Sequence, residues 1–218
     1  VFHILYNGDN LEESIPLILE IVGRQMDVSR VYIFEDSEDG TYCTNTFEWC
    51  SEGIAPQKEF LQRVPYAVLG DYYDNFDEYG IYYCRNIREM TKEQFDILDA
   101  QGIKSMLHCL IRDGGKNRGY VGFDECRENR FWPQTQIRPL SLIAEMVGTF
   151  LLKKRAQDRK EQLLDSLHMI LDNQEEWIYA VERNTYKIQY ANLATREAVS
   201  EAAEGSICYK AFYHRDTP

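Results

Sequence analysis

The chain has 218 residues, with 24 lysines and arginines against 36 aspartates and glutamates, which gives a formal net charge of −12. This charge disfavours binding to the phosphates of nucleic acid or to anionic lipid, so no nucleic-acid partner is predicted. Fifteen tyrosines, ten phenylalanines and three tryptophans supply the apolar area that disordered chains lack. The length suits one large domain, or one complete domain with part of another.

The six cysteines show no C-x-x-C spacing, so neither a zinc site nor a compact disulfide framework is predicted. Reduced thiols and a cytoplasmic location are expected. No apolar run reaches the ~20 residues of a membrane helix, and no membrane segment is expected in this chain. Because Val1 is not a methionine, we expect a processed chain or a piece of a longer one.

The first predicted element is an amphipathic helix. Apolar residues recur there at spacings of three and four, and they are Leu11, Ile15, Ile18, Val22 and Met26. Proline is tolerated in the first helical turn and is costly deeper in the helix. Pro16 therefore predicts that the regular helix begins near Ser14 or Ile15.

A strand hairpin is predicted next. The apolar run from Arg30 to Glu35 is typical of a central strand covered on both faces. A turn at Asp36 to Gly40 leads to a partner strand, Thr41 to Cys50. Its alternation places Phe47 and Trp49 on one face.

Residues 51–79 are less regular and are predicted to contain a short helix, Lys58 to Arg63, followed by a long loop. The loop includes an acidic and aromatic stretch from Asp71 to Tyr79. A long irregular segment inside a compact domain is commonly a lid or a binding element.

Three more strands and a helix complete the predicted sheet. Ile81 to Ile87 is one strand, and Thr91-Lys-Glu-Gln94 is a capping box that predicts the start of a helix. The strands Ser105 to Arg112 and Gly119 to Cys126 are separated by Asp113-Gly-Gly-Lys116, a connection typical of tight hairpins.

A long helix is predicted from Gln134 to Asp172, with a possible kink at Pro139. Seven of the ten residues from Lys153 to Gln162 are charged, so this stretch is predicted to be a solvated connector. Two strands follow, Trp177 to Glu182 and Lys187 to Tyr190.

The C-terminal tail ends soon after these strands. Asn192 is predicted to cap a helix from Leu193 to Ser200. Two strands and a helix bury too little apolar area to be stable by themselves. An incomplete second domain is therefore expected.

The order of elements and three segments resemble a GAF domain over about residues 10–152. The segments are Ser29-Arg-Val-Tyr-Ile-Phe34, Phe47-Glu-Trp-Cys-Ser-Glu-Gly53, and Gly119-Tyr-Val-Gly-Phe-Asp124 followed by Trp132. The resemblance implies an α+β fold in which an antiparallel sheet carries helices on one face and often a small-molecule pocket on the other. It also implies terminal helices that dimerise.

The tail resembles the beginning of a PAS domain, on the segments Ile178-Tyr-Ala-Val181 and Ile188-Gln-Tyr-Ala-Asn192, then Gly205 and Cys208-Tyr209. Such tails resemble sensors attached to diguanylate cyclases, phosphodiesterases or histidine kinases of bacteria. The predicted division is a GAF-like domain at 1–152, a helical signalling linker at 153–172 and an incomplete PAS-like domain at 173–218.

The resemblance implies a pocket for an unidentified small molecule. The pocket candidates are Phe47, Trp49, Tyr72, Tyr73, Phe76, Tyr83, His108 and Asp124. Core or lid packing is the alternative for the aromatic residues, because such side chains dominate cores whatever the function. His108 also fits a hydrogen-bonded core histidine, and Asp124 fits a cap or turn at the end of its strand.

The favoured function is a sensory module that binds a small molecule or serves as a dimer scaffold, and that relays its state through the long helix to an output domain. The helix residues predicted to pair in a homodimer are Ile143, Val147, Phe150, Leu164, Leu167 and Leu171. This function needs no catalytic residue within the chain.

The alternative is an enzyme. Some GAF-fold proteins reduce free methionine sulfoxide with cysteine chemistry, and the candidates for that role are Cys43, Cys50, Cys84, Cys109 and Cys126. No cysteine has a recognised chromophore-attachment pattern, so haem and bilin are not predicted and no cofactor is identified. No phosphate-binding loop occurs around Gly114-Gly115, so cyclic nucleotide binding has no support.

Overall fold

A computed structural model describes residues 10–70 and 72–218, and the sequence predictions that involve residues 1–9 or Asp71 lie outside this range. The chain divides into two compact units, residues 1–154 and 155–218. The three-part division predicted from the sequence stays a prediction.

The first unit contains a six-stranded sheet in which every neighbouring pair is antiparallel, in the order β3-β2-β1-β6-β5-β4. The strands are β1 (Arg30–Asp36), β2 (Tyr42–Cys50), β3 (Val64–Pro65), β4 (Ile81–Cys84), β5 (Ser105–Asp113) and β6 (Lys116–Glu125). The β1–β2 and β5–β6 hairpins are confirmed. The third predicted strand, Ile81 to Ile87, is shorter than expected and ends at Cys84, because its last predicted residue begins a 3-10 turn at Ile87–Glu89.

Two helices pack on one face of this sheet. Helix α1 (Leu11–Met26) and the first half of a longer helix, Gln134–Asp172, bury their apolar stripes against the strands. Two shorter helices lie between them in sequence, α2 (Tyr66–Leu69) and α3 (Lys92–Asp99), so the long helix is α4. The predicted α+β class, with an antiparallel sheet, flanking helices and a long C-terminal helix, is confirmed.

Helix α1 begins earlier than predicted. Asn10 caps it by accepting a hydrogen bond from the Glu12 amide at 3.0 Å, and Pro16 lies inside the helix. Proline lacks only one donor, and burial of residues such as Ile15 and Ile18 on the sheet offsets that loss.

The tight turn between β5 and β6 has a backbone conformation that requires two glycines. Gly114 and Gly115 have φ angles of +55° and +79°, and this left-handed conformation at both central residues is the type I′ geometry that two-residue hairpins favour. A side chain at either position would strain the turn.

The segment 51–79 crosses the face of the sheet opposite to α1. It contains a 3-10 turn at Lys58–Phe60, strand β3, helix α2 and a 3-10 turn at Tyr72–Asn75. The helix predicted over Lys58 to Arg63 is therefore a shorter 3-10 turn. We call residues 51–79 the lid.

The second unit contains a two-stranded antiparallel sheet and short helices. Its elements are β7 (Tyr179–Val181), β8 (Ile188–Ala191), α5 (Leu193–Ala198) and α6 (Cys208–Tyr213). The buried apolar residues are few and mostly small, with Ile188, Ala191, Ala202 and Ala211 at their centre. The helix predicted over Leu193 to Ser200 is confirmed, although it ends two residues earlier.

Asn192 ties the end of α4 to this sheet and has no exposed surface. Its Nδ2 donates to the carbonyls of Leu171, Gln174 and Glu176, and its Oδ1 accepts from the amides of Ile178 and Thr195. The predicted N-cap is confirmed, and the same side chain also serves the end of the preceding helix.

Asp172 makes a second connection at the same place. Its carboxylate accepts from the Tyr190 hydroxyl at 3.0 Å and the Leu193 amide at 2.9 Å, and it pairs with Arg196 at 3.2 Å. The last turn of α4 is thus bonded to both β8 and α5.

The middle of α4 is exposed, as the charged stretch predicted: residues 155–170 are all solvent-exposed. Among the described residues, no helix has both the length and the apolar character that crossing a bilayer would need.

One tight contact on the helix face generates a stability prediction. Gly23 in α1 lies against the Trp49 ring, and a Cβ there would overlap the ring. We expect Gly23→Ala to lower the free energy of unfolding by about 1–3 kcal/mol, although alanine favours helix. Urea unfolding measures this, with Gln25→Ala on the exposed side of α1 as the control. A more stable Gly23→Ala variant would show that the contact does not constrain the helix.

Candidate functional site

The face of the sheet under the lid carries a row of polar and aromatic side chains. Tyr32 on β1 is paired with Gly122 on β6, Gly122 with His108 on β5, and His108 with Tyr82 on β4. Paired residues in a sheet point to the same side, so these four positions face the lid together.

Gly122 allows the row to close. A Cβ at this position would overlap the Tyr32 ring, which lies across β6. The Tyr32 hydroxyl therefore reaches past β6 and lies 2.7 Å from His108 Nε2 on the next strand but one. The glycine is required here for close approach, since its own backbone is not left-handed.

The row forms a buried hydrogen-bond chain. The Tyr32 hydroxyl lies 3.0 Å from Asp124 Oδ1, and the Tyr72 hydroxyl contacts His108 Nδ1. When Asp124 is ionised it only accepts, so Tyr32 donates to it and accepts from His108 Nε2–H. His108 Nδ1 then accepts from Tyr72, which fixes a neutral tautomer and connects the lid to the sheet.

Burial is the largest influence on the pKa values of His108 and Asp124 in this hydrogen-bond chain. It lowers the pKa of His108 to about 3, so the imidazole is neutral. It raises the pKa of Asp124 to about 7, against the opposing effects of Arg30 and of the Tyr32 hydrogen bond. The Arg30 Nε lies 3.7 Å from Asp124 Oδ2, and both side chains are 1% exposed. Burial lowers the pKa of Arg30 and the negative charge of Asp124 raises it, and the resulting pKa of Arg30 lies above its ordinary value.

A cavity of about 70 Å³ lies between this face and the lid. The sheet contributes aromatic and polar walls, the lid contributes apolar ones, and α3 closes one side. Its lining includes Arg30, Asn45, Tyr120, Leu61, Tyr72 and Leu98. A neighbouring cavity of about 40 Å³ shares Tyr72, Leu98 and His108 with the first.

The polar end of the larger cavity contains groups with no protein partner. Arg30 Nη1, both side-chain polar atoms of Asn45, and Glu48 Oε1 have no hydrogen bond among the described residues. Buried polar groups are normally hydrogen-bonded, and each unpartnered group costs about 1–3 kcal/mol. All three residues line the cavity, so these are the protein atoms that a polar ligand would gain most by satisfying.

Five of the eight predicted pocket residues lie on this face. Tyr72 and His108 line both cavities. Tyr73 and Phe76 belong to the surrounding aromatic cluster, where Tyr73 donates to Asp36 at 2.5 Å. Asp124 lines neither of these two cavities and does not cap its strand, since it is buried behind Tyr32 and Arg30.

Three pocket predictions are wrong. Phe47 and Trp49 pack in the core formed with α1 and α4, on the opposite face of the sheet. Tyr83 is 44% exposed on the edge strand β4, paired with the helix-face residue Leu107. Its neighbour Tyr82 is the residue that lines the smaller cavity. Phe47 and Trp49 do share a face, as predicted, but it is the helix face.

Sequence reasoning missed Arg30, Tyr32, Asn45 and Glu48. A signal existed in Arg30, because it is a charged residue directly followed by the apolar run of β1. Strand β2 has a β-bulge at Thr46: Asn45 and Phe47 are paired with the consecutive β1 residues Phe34 and Ile33, which leaves Thr46 as the extra residue. The bulge shifts the alternation of side chains along β2. It brings both Asn45 and Glu48 to the lid face, which regular alternation does not do.

The helix residues predicted to form a dimer divide into two groups. Val147 is 1% exposed, and Ile143 and Phe150 pack against the same core, so the prediction of a free pairing surface is wrong for these three. Leu164 and Leu167 are exposed, and Leu171 is partly buried. Most of the exposed apolar surface on α4 therefore lies in its second half, with Leu142 exposed in the first.

The candidate thiols are not activated. Burial raises the pKa of Cys43, Cys50 and Cys109 to about 12 each, and it also raises the pKa of Cys84 and Cys126. Thiolates, and not thiols, are the nucleophiles in cysteine chemistry. This arrangement disfavours thiol catalysis at neutral pH.

The chain is similar in sequence to the methanogenesis regulatory histidine kinase FilI of Methanothrix harundinacea (strain 6Ac), with 27% identity over 160 residues. The match covers 72% of this chain and 18% of the length of FilI. No protein-family model matches the chain.

Solved structures show the same fold at low identity. A biliverdin-bound protein in its far-red absorbing dark state has a TM-score of 0.61 and 17% identity, covering 71% of this chain and 96% of its own. The blue-light absorbing form of the Thermosynechococcus elongatus PixJ GAF domain has a TM-score of 0.54 at 16% identity, covering 71% and 90%.

A domain assigned to a two-component sensor histidine kinase of Sinorhizobium meliloti 1021 has a TM-score of 0.55 at 16% identity, covering 71% and 99%. The fold is therefore GAF-like, and the chain is related to a histidine kinase regulator. The PAS-like part and a diguanylate cyclase context stay predictions.

The two buried titratable groups predict opposing pH effects. The folded state keeps the Asp124 proton to about pH 7, whereas the unfolded state releases it near 3.8, so this group lowers the free energy of unfolding as pH rises from 4 to 7. Neutral His108 does the reverse, because the unfolded state gains a proton below 6.5 and folding loses stability as pH falls towards 3.

We therefore expect the stability of Asp124→Asn, relative to the unsubstituted chain, to increase by up to about 1.4 kcal/mol per pH unit between pH 4.5 and 6.5. Relative to the same reference, His108→Gln should gain stability as pH falls. Urea unfolding across this range measures both, with the exposed Glu52→Gln as the control. Relative stabilities that do not change with pH would contradict the assigned ionisation states.

Proposed function

We propose that residues 1–154 form the ligand-binding sensory domain of a histidine kinase-type signalling protein, and that α4 carries its conformational state to the following module. The whole protein's output is part of this proposal, because the chain spans 18% of the related kinase. A diguanylate cyclase or phosphodiesterase output has no support beyond the resemblance of the tail.

The observation that carries the proposal is the cavity under the lid. It combines apolar walls with buried polar atoms that no described residue satisfies, and these are the properties of small-molecule sites. The Tyr72–His108 contact connects lid to sheet, so a ligand that displaces Tyr72 also breaks the hydrogen-bond chain. Binding can thus bias the position of the lid.

The size of the cavity argues against a bilin. Two of the similar structures are photoreceptor domains, one of them with bound biliverdin. Sites for ligands of drug size or larger have volumes of about 300–1,000 Å³. A cavity of about 70 Å³ does not fit a linear tetrapyrrole, so the ligand we propose is much smaller.

Helix α4 supplies the route to the next module. Its first half contributes Leu140, Val147 and Leu151 to the domain core, and its last residue, Asp172, is bonded to the second unit's sheet and helix. A small rotation or register shift in such a helix is a known means of switching. Pairing of α4 with the α4 helix of a second copy, through Leu164 and Leu167, would hold the two copies in register.

The alternative, thiol-dependent reduction of free methionine sulfoxide, is less well supported. It needs a thiolate at neutral pH, and burial raises the pKa of all five candidate thiols. Only Cys43 among them lines the larger cavity. We therefore favour sensing.

Ligand binding can be tested on the full chain by thermal unfolding with a metabolite fraction below 1 kDa. A ligand at about 100 times its Kd stabilises by about 2.7 kcal/mol, a rise in Tm of about 5–10 °C at this size. Val64→Phe, which places a larger side chain in the cavity wall, should lose the rise, whereas the exposed Val68→Phe should lose less of it. No rise at any concentration would contradict the sensory proposal.

Dimerisation can be tested with the exposed leucines. We expect Leu164→Asp/Leu167→Asp to shift the chain from dimer to monomer in light scattering at micromolar concentration, because charges in a helix seam are not accommodated. Gln157→Ala/Glu161→Ala, on the exposed part of the same helix, is the control. A parent chain that is already monomeric would overturn the dimer.

A further inference from the structure

The polar end of the cavity has an unusual combination of free groups. Asn45 is 1% exposed, and neither its Oδ1 nor its Nδ2 has a hydrogen-bond partner among the described residues. Its backbone is satisfied, because its amide donates to the Leu61 carbonyl at 3.0 Å and its carbonyl accepts from Gln62 at 2.9 Å. The backbone of Asn45 is thus fixed, and its side chain is left with one unused donor group and one unused acceptor.

Two charged side chains with free atoms line the same cavity. Arg30 Nη2 donates to the Gln101 carbonyl at 2.9 Å, which leaves Nη1 as a free donor. Glu48 Oε2 accepts from the amides of Gln57 and Lys58 at 2.8 and 3.0 Å, which leaves Oε1 as a free acceptor. One oxygen of Glu48 therefore positions the lid, and the other has no hydrogen-bond partner among the described residues.

Strand pairing gives the order of these groups along the site. Glu48 is paired with Tyr32 and Asn45 with Phe34, both on lid-facing positions of β2. Arg30 is two residues from Tyr32 on β1 and so lies diagonally across from Glu48, whereas Asn45 lies beyond Glu48, about 13 Å along the strands from Arg30. A cationic donor, an anionic acceptor and a neutral amide thus follow one another along the cavity.

The complement to this set is a small molecule with both charges. A carboxylate would accept from Arg30 Nη1, and an ammonium would donate to Glu48 Oε1 and to Asn45 Oδ1 on the same strand. A volume of about 70 Å³ holds roughly five water-sized groups. This leaves room for a short side chain against the apolar walls, which include Leu61 and Val64.

We infer that the cavity binds a zwitterionic α-amino acid with a short side chain, such as glycine, alanine or serine. This inference rests on the proposed sensory function and names its ligand class. A simple carboxylate leaves Glu48 Oε1 without a donor, and a simple amine leaves Arg30 Nη1 without an acceptor. Either analogue therefore satisfies half of the site.

Calorimetric titration of the full chain tests this with L-alanine, propionate and ethylamine, which differ by one charged group each. A hydrogen bond to a charged group contributes about 1.5–3 kcal/mol, so each analogue should bind about 10- to 100-fold more weakly than L-alanine. Glycine and L-serine should bind within about tenfold of it. Propionate or ethylamine binding as tightly as L-alanine would overturn the zwitterion.

Two variants separate recognition from folding. Glu48→Gln keeps an oxygen for the Gln57 and Lys58 amides and replaces the free acceptor with a donor, so it should weaken L-alanine binding at least tenfold while Tm changes little. Glu59→Gln, exposed in the same lid, is the control. Asn45→Leu removes two unpartnered groups, so it should raise the Tm of the ligand-free chain and abolish binding.

The outcomes distinguish this inference from the proposed function. If the metabolite fraction raises Tm and none of the three amino acids binds, the amino-acid class is wrong and sensing stands. If neither the fraction nor any amino acid has an effect, both are overturned. Binding of L-alanine that is insensitive to Glu48→Gln and Asn45→Leu would place the amino acid elsewhere and overturn the site.

Discussion

The sheet is covered on both faces, by helices on one and by the lid on the other, and this constraint determines which environment each strand side chain enters. Side chains alternate between faces, so odd and even positions of β6 belong to different environments: Val121 and Phe123 join the helix core, while Tyr120 and Asp124 join the lid side. A one-residue shift would bury Asp124 among aliphatic side chains without a partner. The register, the buried ionic pair and the cavity are therefore specified together.

The same alternation explains how far the sequence could predict the site. Hairpins, the lid and the bounds of α4 follow from local patterns, and Asn192 follows from capping chemistry. Which face Phe47 occupies does not, because both faces of a doubly covered strand are apolar. The sequence does not distinguish Tyr82 from Tyr83, because only the strand pairing shows which of two adjacent tyrosines faces the lid. Asn45 was hidden by the bulge, since a local count of alternation cannot include an extra residue.

The polar chain on the lid side exists because one position has no side chain. Gly122 lets the Tyr32 ring cross β6, and the resulting hydrogen-bond chain provides partners for both ring nitrogens of His108 and for Oδ1 of Asp124, whose Oδ2 faces the Arg30 Nε at 3.7 Å. Asn45, Glu48 and Arg30 remain only partly satisfied beside it. Natural cores seldom tolerate this, and functional sites are where such exceptions are expected.

The junction at Asn192 has a mechanical consequence. Helix ends normally fray, because their last carbonyls lack partners, but here the Leu171 carbonyl is bonded by a side chain from beyond the β7–β8 hairpin. The final turn of α4 therefore cannot loosen without releasing Asn192 and, with it, the start of α5. Backbone amides of that turn and of the hairpin should therefore exchange with solvent as one cooperative block.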